Sequence, residues 1–232
     1  MIARKKKNGI ERELVAITMP NSLISEQFRR LRTNLNFSST KENLQTLIVT
    51  SANAGEGKSM VAANLAVVYA QEGKKVLLVD SDLRNPTAHK TFRMQNDVGI
   101  STLLTEEMNV EKAVRKTAIE NLDLLCSGPI PSNPSELLSS KAMEDLMGKL
   151  KKAYDFVIFD SPPILSVVDG QIIANKCDAS IFVINSGKTD REQALEAKEA
   201  ITSSGSKVLG VILNNYRKRQ KRAIKEALNL QW

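Results

Sequence analysis

Short, unbroken apolar runs recur along this chain, each followed by a longer amphipathic stretch, and that alternation narrows the fold more than any other feature. The runs fall at 46–51, 75–79, 122–125, 156–159, 179–184 and 208–213. A strand with one face in water alternates apolar and polar residues, whereas a strand apolar at every position is covered on both faces. Helical stretches lie between them near 58–71, 110–117, 142–153, 169–175 and 191–203. Strands and helices in this order predict an α/β fold, a mostly parallel sheet with helices on both faces. An earlier helix is expected over 22–37, where Leu23, Ile24, Phe28, Leu31 and Leu35 recur at helical spacing behind Asn21 or Ser22 as N-cap. Ligands of such sheets bind beyond the carboxyl ends of the strands.

The 232 residues suit one large domain that buries a core without disulfides or metals. Cys126, Cys177 and a lone His89 are too few for a structural zinc site or a Ser-His-Asp triad. Both cysteines read as small buried hydrophobes of a reducing compartment. Residues 1–21 are expected to form a basic mobile arm, 22–216 the folded domain, and 217–232 a basic tail. The basic start has no apolar stretch after it, so it is not a signal peptide, and no run approaches the roughly 20 apolar residues of a membrane span. A cytoplasmic protein is expected. The net charge of +7 sits at the ends: residues 4–7 carry +4 and 217–226 carry +5, which leaves −2 for the body. A nucleic-acid-binding domain would carry its basic face within the fold, so no nucleic acid partner is expected.

Between the first strand and its helix stands Thr50-Ser51-Ala52-Asn53-Ala54-Gly55-Glu56-Gly57-Lys58-Ser59. It fits GxxxxGK[ST] except that Ala52 replaces the first glycine. Gly55 and Gly57 let backbone N–H groups turn toward phosphate oxygens, and the following helix aims its positive end at them. Lys58 supplies a point charge for the β- and γ-phosphates, and Ser59 can ligate Mg²⁺. The expected nucleotide contacts are Gly55, Glu56, Gly57, Lys58, Ser59 and Met60. A strand–turn–helix with chance glycines would not need Gly-Lys-Ser at the head of the helix. The fold expected is therefore that of a P-loop NTPase, binding ATP or GTP with Mg²⁺.

Two further strands end in acids. Asp80 and Asp82 follow the second, on one face by strand alternation, and Asp160 follows 156–159 as a Walker B acid would. A single acid after a strand often only caps the next element. Three of them facing a P-loop favour a metal-and-phosphate site. One acid of the pair can hold the metal while the other orients a hydroxyl or a water. These residues leave open whether the phosphoryl acceptor is water or a protein side chain.

The combination resembles the bacterial tyrosine kinases that regulate capsule and exopolysaccharide synthesis. It consists of the Walker A loop at 52–59, the apolar-Asp-x-Asp-x-Arg motif at 77–84, and the Walker B acid at 156–160. An ExxRxxRxN stretch is matched by Glu26, Arg29, Arg32 and Asn34, and the run from Ser127 to Leu138 is similar to the family's. The resemblance covers 22–216. It implies an ATP-dependent protein-tyrosine kinase in which Lys58, Asp80 and Asp82 are catalytic: Asp80 acts on the tyrosine hydroxyl, and Asp82 and Asp160 hold Mg²⁺. It further implies that Glu26, Arg29 and Arg32 join subunits into a ring and that Asn214 contacts the adenine. A separate membrane protein of polysaccharide export would activate the kinase and bring it to the inner face of the plasma membrane. Read without the family, Glu26, Arg29 and Arg32 form a solvated helix face with local ion pairs.

The chain departs from that family at its end. Kinases of the group usually close with a cluster of tyrosines, but only Tyr69, Tyr154 and Tyr216 occur here. Tyr69 falls in a buried helix and Tyr154 begins a core strand, which leaves Tyr216 as the candidate phosphosite and other proteins as substrates. In place of the cluster, 217–232 reads as a basic helix with Ile224, Leu228 and Trp232 at i, i+4 and i+8. Such a helix either lies on an anionic membrane surface or packs its apolar stripe onto the domain. The rival from another class is an ATPase switch of the septum-positioning and plasmid-partition type, which shares this deviant-Walker fold. Those proteins carry a lysine early in the P-loop, where Asn53 stands here, and lack the Glu26–Asn34 motif.

Overall fold

The computed structural model describes residues 14–39, 44–106 and 108–216. In chain order the elements are α1 (Val15–Thr18), α2 (Leu23–Ser39), β1 (Thr46–Ser51), α3 (Lys58–Ala70), β2 (Val76–Asp80), α4 (Ala88–Thr91), α5 (Ile100–Thr105), α6 (Val110–Ala113), β3 (Val114–Lys116), β4 (Leu122–Leu125), α7 (Pro134–Ser139), α8 (Lys141–Ala153), β5 (Phe156–Asp160), α9 (Asp169–Lys176), β6 (Ala179–Asn185), α10 (Arg191–Ser203) and β7 (Val208–Asn214). The seven strands form one sheet in the order β3-β4-β2-β5-β1-β6-β7, parallel except for β3. The expected doubly covered parallel sheet is thus the observed one.

Alternate residues of each central strand supply two cores, as a strand covered on both faces requires. Leu47, Val49, Leu78 and Ile158 pack against α2 and α3, while Ile48, Val79, Val157 and Phe159 pack against α8 and α9. Because Leu78 and Ile158 face α3, the next residues on that face, Asp80 and Asp160, also do so. The two acids are register partners on neighbouring strands. The strand ends therefore deliver two carboxylates side by side below the head of α3.

Three expectations need correction. Residues 14–21 are not part of a mobile arm: α1 is folded, with Val15 and Ala16 buried. Its physical basis is Asn64, fully buried in the otherwise apolar α3, whose Oδ1 accepts from the Ala16 amide at 2.9 Å. The first-turn amide of α1 and the buried side chain satisfy each other. Second, no helix spans 110–117. Asn109 caps one turn, and Val114–Lys116 then pairs antiparallel with β4, because that sheet edge offers hydrogen bonds the short helix cannot. Third, Tyr154 does not begin β5 but closes α8, and its hydroxyl donates to Asp123 Oδ2 at 2.8 Å. The short helices α4, α5 and α7 were not expected from the sequence; each is six residues or fewer, too short to show a period. Residues 1–13 and 217–232 lie outside the described residues.

Candidate nucleotide and phosphoryl-transfer site

The loop from β1 to α3 turns on Gly55 and Gly57, both at positive φ, 78° and 95°. Gly57 is required twice over, since a methyl group there would also run into the side-chain amide of Asn214. No side chain caps the head of α3. Its first amides, those of Lys58, Ser59 and Met60, are therefore free of intrahelical partners and polarised toward an anion.

The Lys58 ammonium lies 3.3 Å from Asp82 Oδ2, 3.8 Å from Asp160 Oδ1 and 3.3 Å from the Ser59 hydroxyl. Burial alone would lower the Lys58 pKa, but Asp160 and Asp82 outweigh it and hold the group charged. Asp160 is fully buried. Burial raises its pKa, and Lys58 and the Ser59 hydroxyl offset only part of that rise. Asp82 has left the strand, so alternation does not place it. Instead the Asn85 amide donates to its Oδ1 at 3.0 Å and leaves Oδ2 facing Lys58.

Asp80 is the most constrained of the three acids. Its Oδ2 accepts from the Thr87 and Ala88 amides, both at 2.9 Å, while its Oδ1 is buried and has no hydrogen-bond partner. Burial first, and Asp160 second, push its pKa up to about 7. A buried carboxylate oxygen without a donor attracts a proton or a cation.

The residues present fit a nucleotide and a divalent ion. Ser59, Asp82 and Asp160 surround a position that a cation already occupies through Lys58, and Asp160 Oδ1 also lacks a hydrogen-bond partner. Among the described residues, no group of three His, Cys, Asp or Glu forms a metal cage by itself. That suits Mg²⁺, which is usually held by one or two carboxylates together with substrate phosphates.

Several contacts were not anticipated. Glu56, an expected nucleotide contact, turns inward: it is 4% exposed and accepts from the Asn53 amide and the Thr189 hydroxyl. Asn53 Nδ2 donates to Gln193, and Asn214 Nδ2 donates to the Glu56 carbonyl at 2.8 Å. The P-loop is thus tied sideways to β7 and to the start of α10. Arg84 makes two bonds to the buried Asp169, at 2.8 and 3.1 Å. Arg84 already stood in the acidic motif, but its partner lies 85 residues away and no local pattern marks it.

The expected subunit-joining residues stand apart from this site. Glu26 and Arg29 form an exposed ion pair at 2.7 Å. Arg32 reaches across to α3, donating to the Val68 carbonyl at 2.6 Å and pairing with Glu72 at 3.5 Å. Tyr69 is buried with its hydroxyl on Asn36, and burial raises its pKa, as it does for Tyr154. Tyr216 is half-buried at the end of the described chain.

A parallel sheet with an uncapped Gly-Lys-Ser helix head and acids at adjoining strand ends defines a P-loop nucleotide-binding protein that works with a metal. Residues 44–211 match the family described as AAA domain. The chain is 52% identical over 215 residues to the tyrosine-protein kinase YwqD of Bacillus subtilis, covering 92% of this chain and 91% of the relative. The crystal structure of the chimerical protein CapA2B2 superposes with a TM-score of 0.86 at 42% identity, covering 89% and 91% of the two chains. The septum site-determining protein MinD of Pyrococcus horikoshii, complexed with Mg-ADP, reaches a TM-score of 0.66 at 23% identity over 81% and 78%, which is a likeness of fold alone. The chain belongs to the bacterial tyrosine-protein kinases. The septum-positioning alternative is set aside, because the high identity lies with the kinases.

Proposed function

We propose that this protein transfers the γ-phosphoryl group of Mg-ATP to tyrosine hydroxyls of proteins, in the control of capsule or exopolysaccharide synthesis. The observation that carries the reading is the grouping of Lys58, Ser59, Asp82 and Asp160 at the open head of α3, with Asp80 beside them. Bound Mg²⁺ would supply charge neutralisation between the phosphates, held by Ser59, Asp82 and Asp160. Lys58 offsets charge on the β- and γ-phosphates, and the amides from Gly55 to Met60 hold them in place. Asp80 takes the hydroxyl proton. Its Oδ2 is committed to two amides, so Oδ1 is the atom left to accept, and a pKa near 7 suits a base working at neutral pH.

The wider assembly belongs to the same proposal. Glu26, Arg29 and Arg32 join copies of the chain into a ring, and the exposed Glu26–Arg29 pair is open to such a contact. No helix among the described residues is long and apolar enough to cross a membrane. Recruitment to the inner face of the plasma membrane is the part of a membrane-embedded activator. Asn214 contacts the adenine, and Tyr216 is the candidate phosphosite in the chain itself.

The test is phosphotransfer from radiolabelled ATP and Mg²⁺, with the cytosolic tail of a candidate activator added. The acceptors are the protein itself and a tyrosine-rich protein from the same cell. Label in phosphotyrosine that disappears in Lys58→Met and Asp82→Ala is the expected result. Release of free phosphate with no labelled protein, under every activator tried, would overturn the reading.

A further inference from the structure

One edge of the sheet is unfinished. β7 pairs with β6, and among the described residues no strand lies on its other side. Its side chains are not those of a protected edge: Val211 is 57% and Leu213 48% exposed, with no charge along the strand. Natural sheets usually cover or charge such an edge. On the α10 side, Phe182, Ile184, Leu195 and Val211 line an open apolar cleft of about 240 Å³, with Arg191 and Lys198 also lining it. The cleft continues the small core of Phe182, Ala197 and Ile201 outward into solvent.

The chain itself carries what would complete that core. Directly after β7, Asn215 adopts a left-handed conformation at φ 57°, with its amide bonded to Asn214 Oδ1, and turns the backbone away from the strand direction. Residues 217–232 follow. As a helix they would be about 24 Å long, and the seven residues of β7 extend about 23 Å, so the segment is long enough to run back along the strand. Ile224, Leu228 and Trp232 then form one stripe of matching apolar character.

We propose that residues 217–232 fold back in the same molecule, setting Ile224, Leu228 and Trp232 over the cleft between β7 and α10. Apart from Arg191 and Lys198, the cleft is lined by apolar side chains, so the stripe docks there while the segment's own Arg and Lys side chains point outward into water. A membrane surface would compete for the same stripe. The cleft supplies it with a covered, apolar partner at no cost in association entropy.

Trp232 is the chain's single tryptophan and reports on the docking directly. In the full-length protein without lipid, its emission should be blue-shifted. Acrylamide should quench it severalfold less than in Leu195→Glu or Val211→Glu, at every protein concentration. Both substituted side chains are about half exposed and neither is among the residues of the nucleotide site, so circular dichroism and nucleotide binding should be unchanged. A second reporter, Leu228→Trp with Trp232→Phe, should respond in the same way. Solvent-like emission that shifts only on adding phosphatidylglycerol vesicles would overturn the proposal in favour of a membrane. A blue shift lost on dilution would overturn it in favour of a second copy, and emission indifferent to both groove variants would overturn it outright.

Discussion

The side-by-side setting of Asp80 and Asp160 has a cost that is measurable without nucleotide. Replacing Asp80 by Asn keeps the shape of the side chain. The amide oxygen can still accept from Thr87 and Ala88, and the NH₂ group falls where Oδ1 now has no partner. An unperturbed Asp titrates near ~3.9, whereas Asp80 is pushed up to about 7. A folded-state pKa above the unfolded one means that the folded protein holds the proton more tightly. Wild-type stability therefore falls as pH rises from about 4 to about 7 and levels off above that. About three pH units correspond to roughly 4 kcal/mol, but Asp160 shares the titration, so one substitution should recover about 2–3 kcal/mol at pH 8. In a domain of this size that is a rise in Tm of roughly 4–12 °C. Thermal melts by circular dichroism, nucleotide-free and at fixed ionic strength from pH 5 to 8.5, should show Asp80→Asn above wild type at pH 8. The gap should narrow steadily toward pH 5. A variant that melts below wild type at pH 8, or keeps a constant offset across the range, would refute the reasoning. The same variant should lose phosphotransfer, because the base is gone.

Three further outcomes are expected. Gly57→Ala places a side chain at φ 95° and against Asn214, a backbone penalty of about 1–2 kcal/mol before the clash, so titration with a fluorescent nucleotide should show at least a ~10-fold weaker affinity. Arg84→Ala leaves the fully buried Asp169 without its two-bond partner. It should cost about 1–3 kcal/mol by urea denaturation, and adding Asp169→Asn should return part of that loss. Tyr154→Phe removes one buried hydrogen bond to Asp123, which Lys116 also contacts, and should cost about 0.5–1.5 kcal/mol in the same assay. A loss above that range would mean that the hydroxyl does more than cap Asp123.

What the sequence disclosed follows from where its information is local. The parallel strands, α3 and the acids at 80 and 160 each rest on a run of neighbouring residues, and all are found where expected. Asp82 reached Lys58 by another route, through a turn fixed by the Asn85 amide, because strand alternation ends with the strand. The fold-back of α1 onto Asn64, the Arg84–Asp169 bonds and the Thr189–Glu56 link join residues 48 to 133 positions apart. No periodicity encodes such pairs. Short elements such as β3 and α4 were invisible for the opposite reason, since three or four residues cannot display a repeat.

The position of β1 also governs how this molecule must come together. β1 lies between β5 and β6, and Thr46 exchanges hydrogen bonds with Asp178, 132 residues further along. Closing loops of that length is slow, and nothing nearer in the chain can substitute for those neighbours. During synthesis, β1 must wait until β5 and β6 have emerged, and the Gly-Lys-Ser turn at its end waits with it. A partly made chain therefore holds the signature residues without the scaffold that orients them, and competence to bind nucleotide arrives late and all at once.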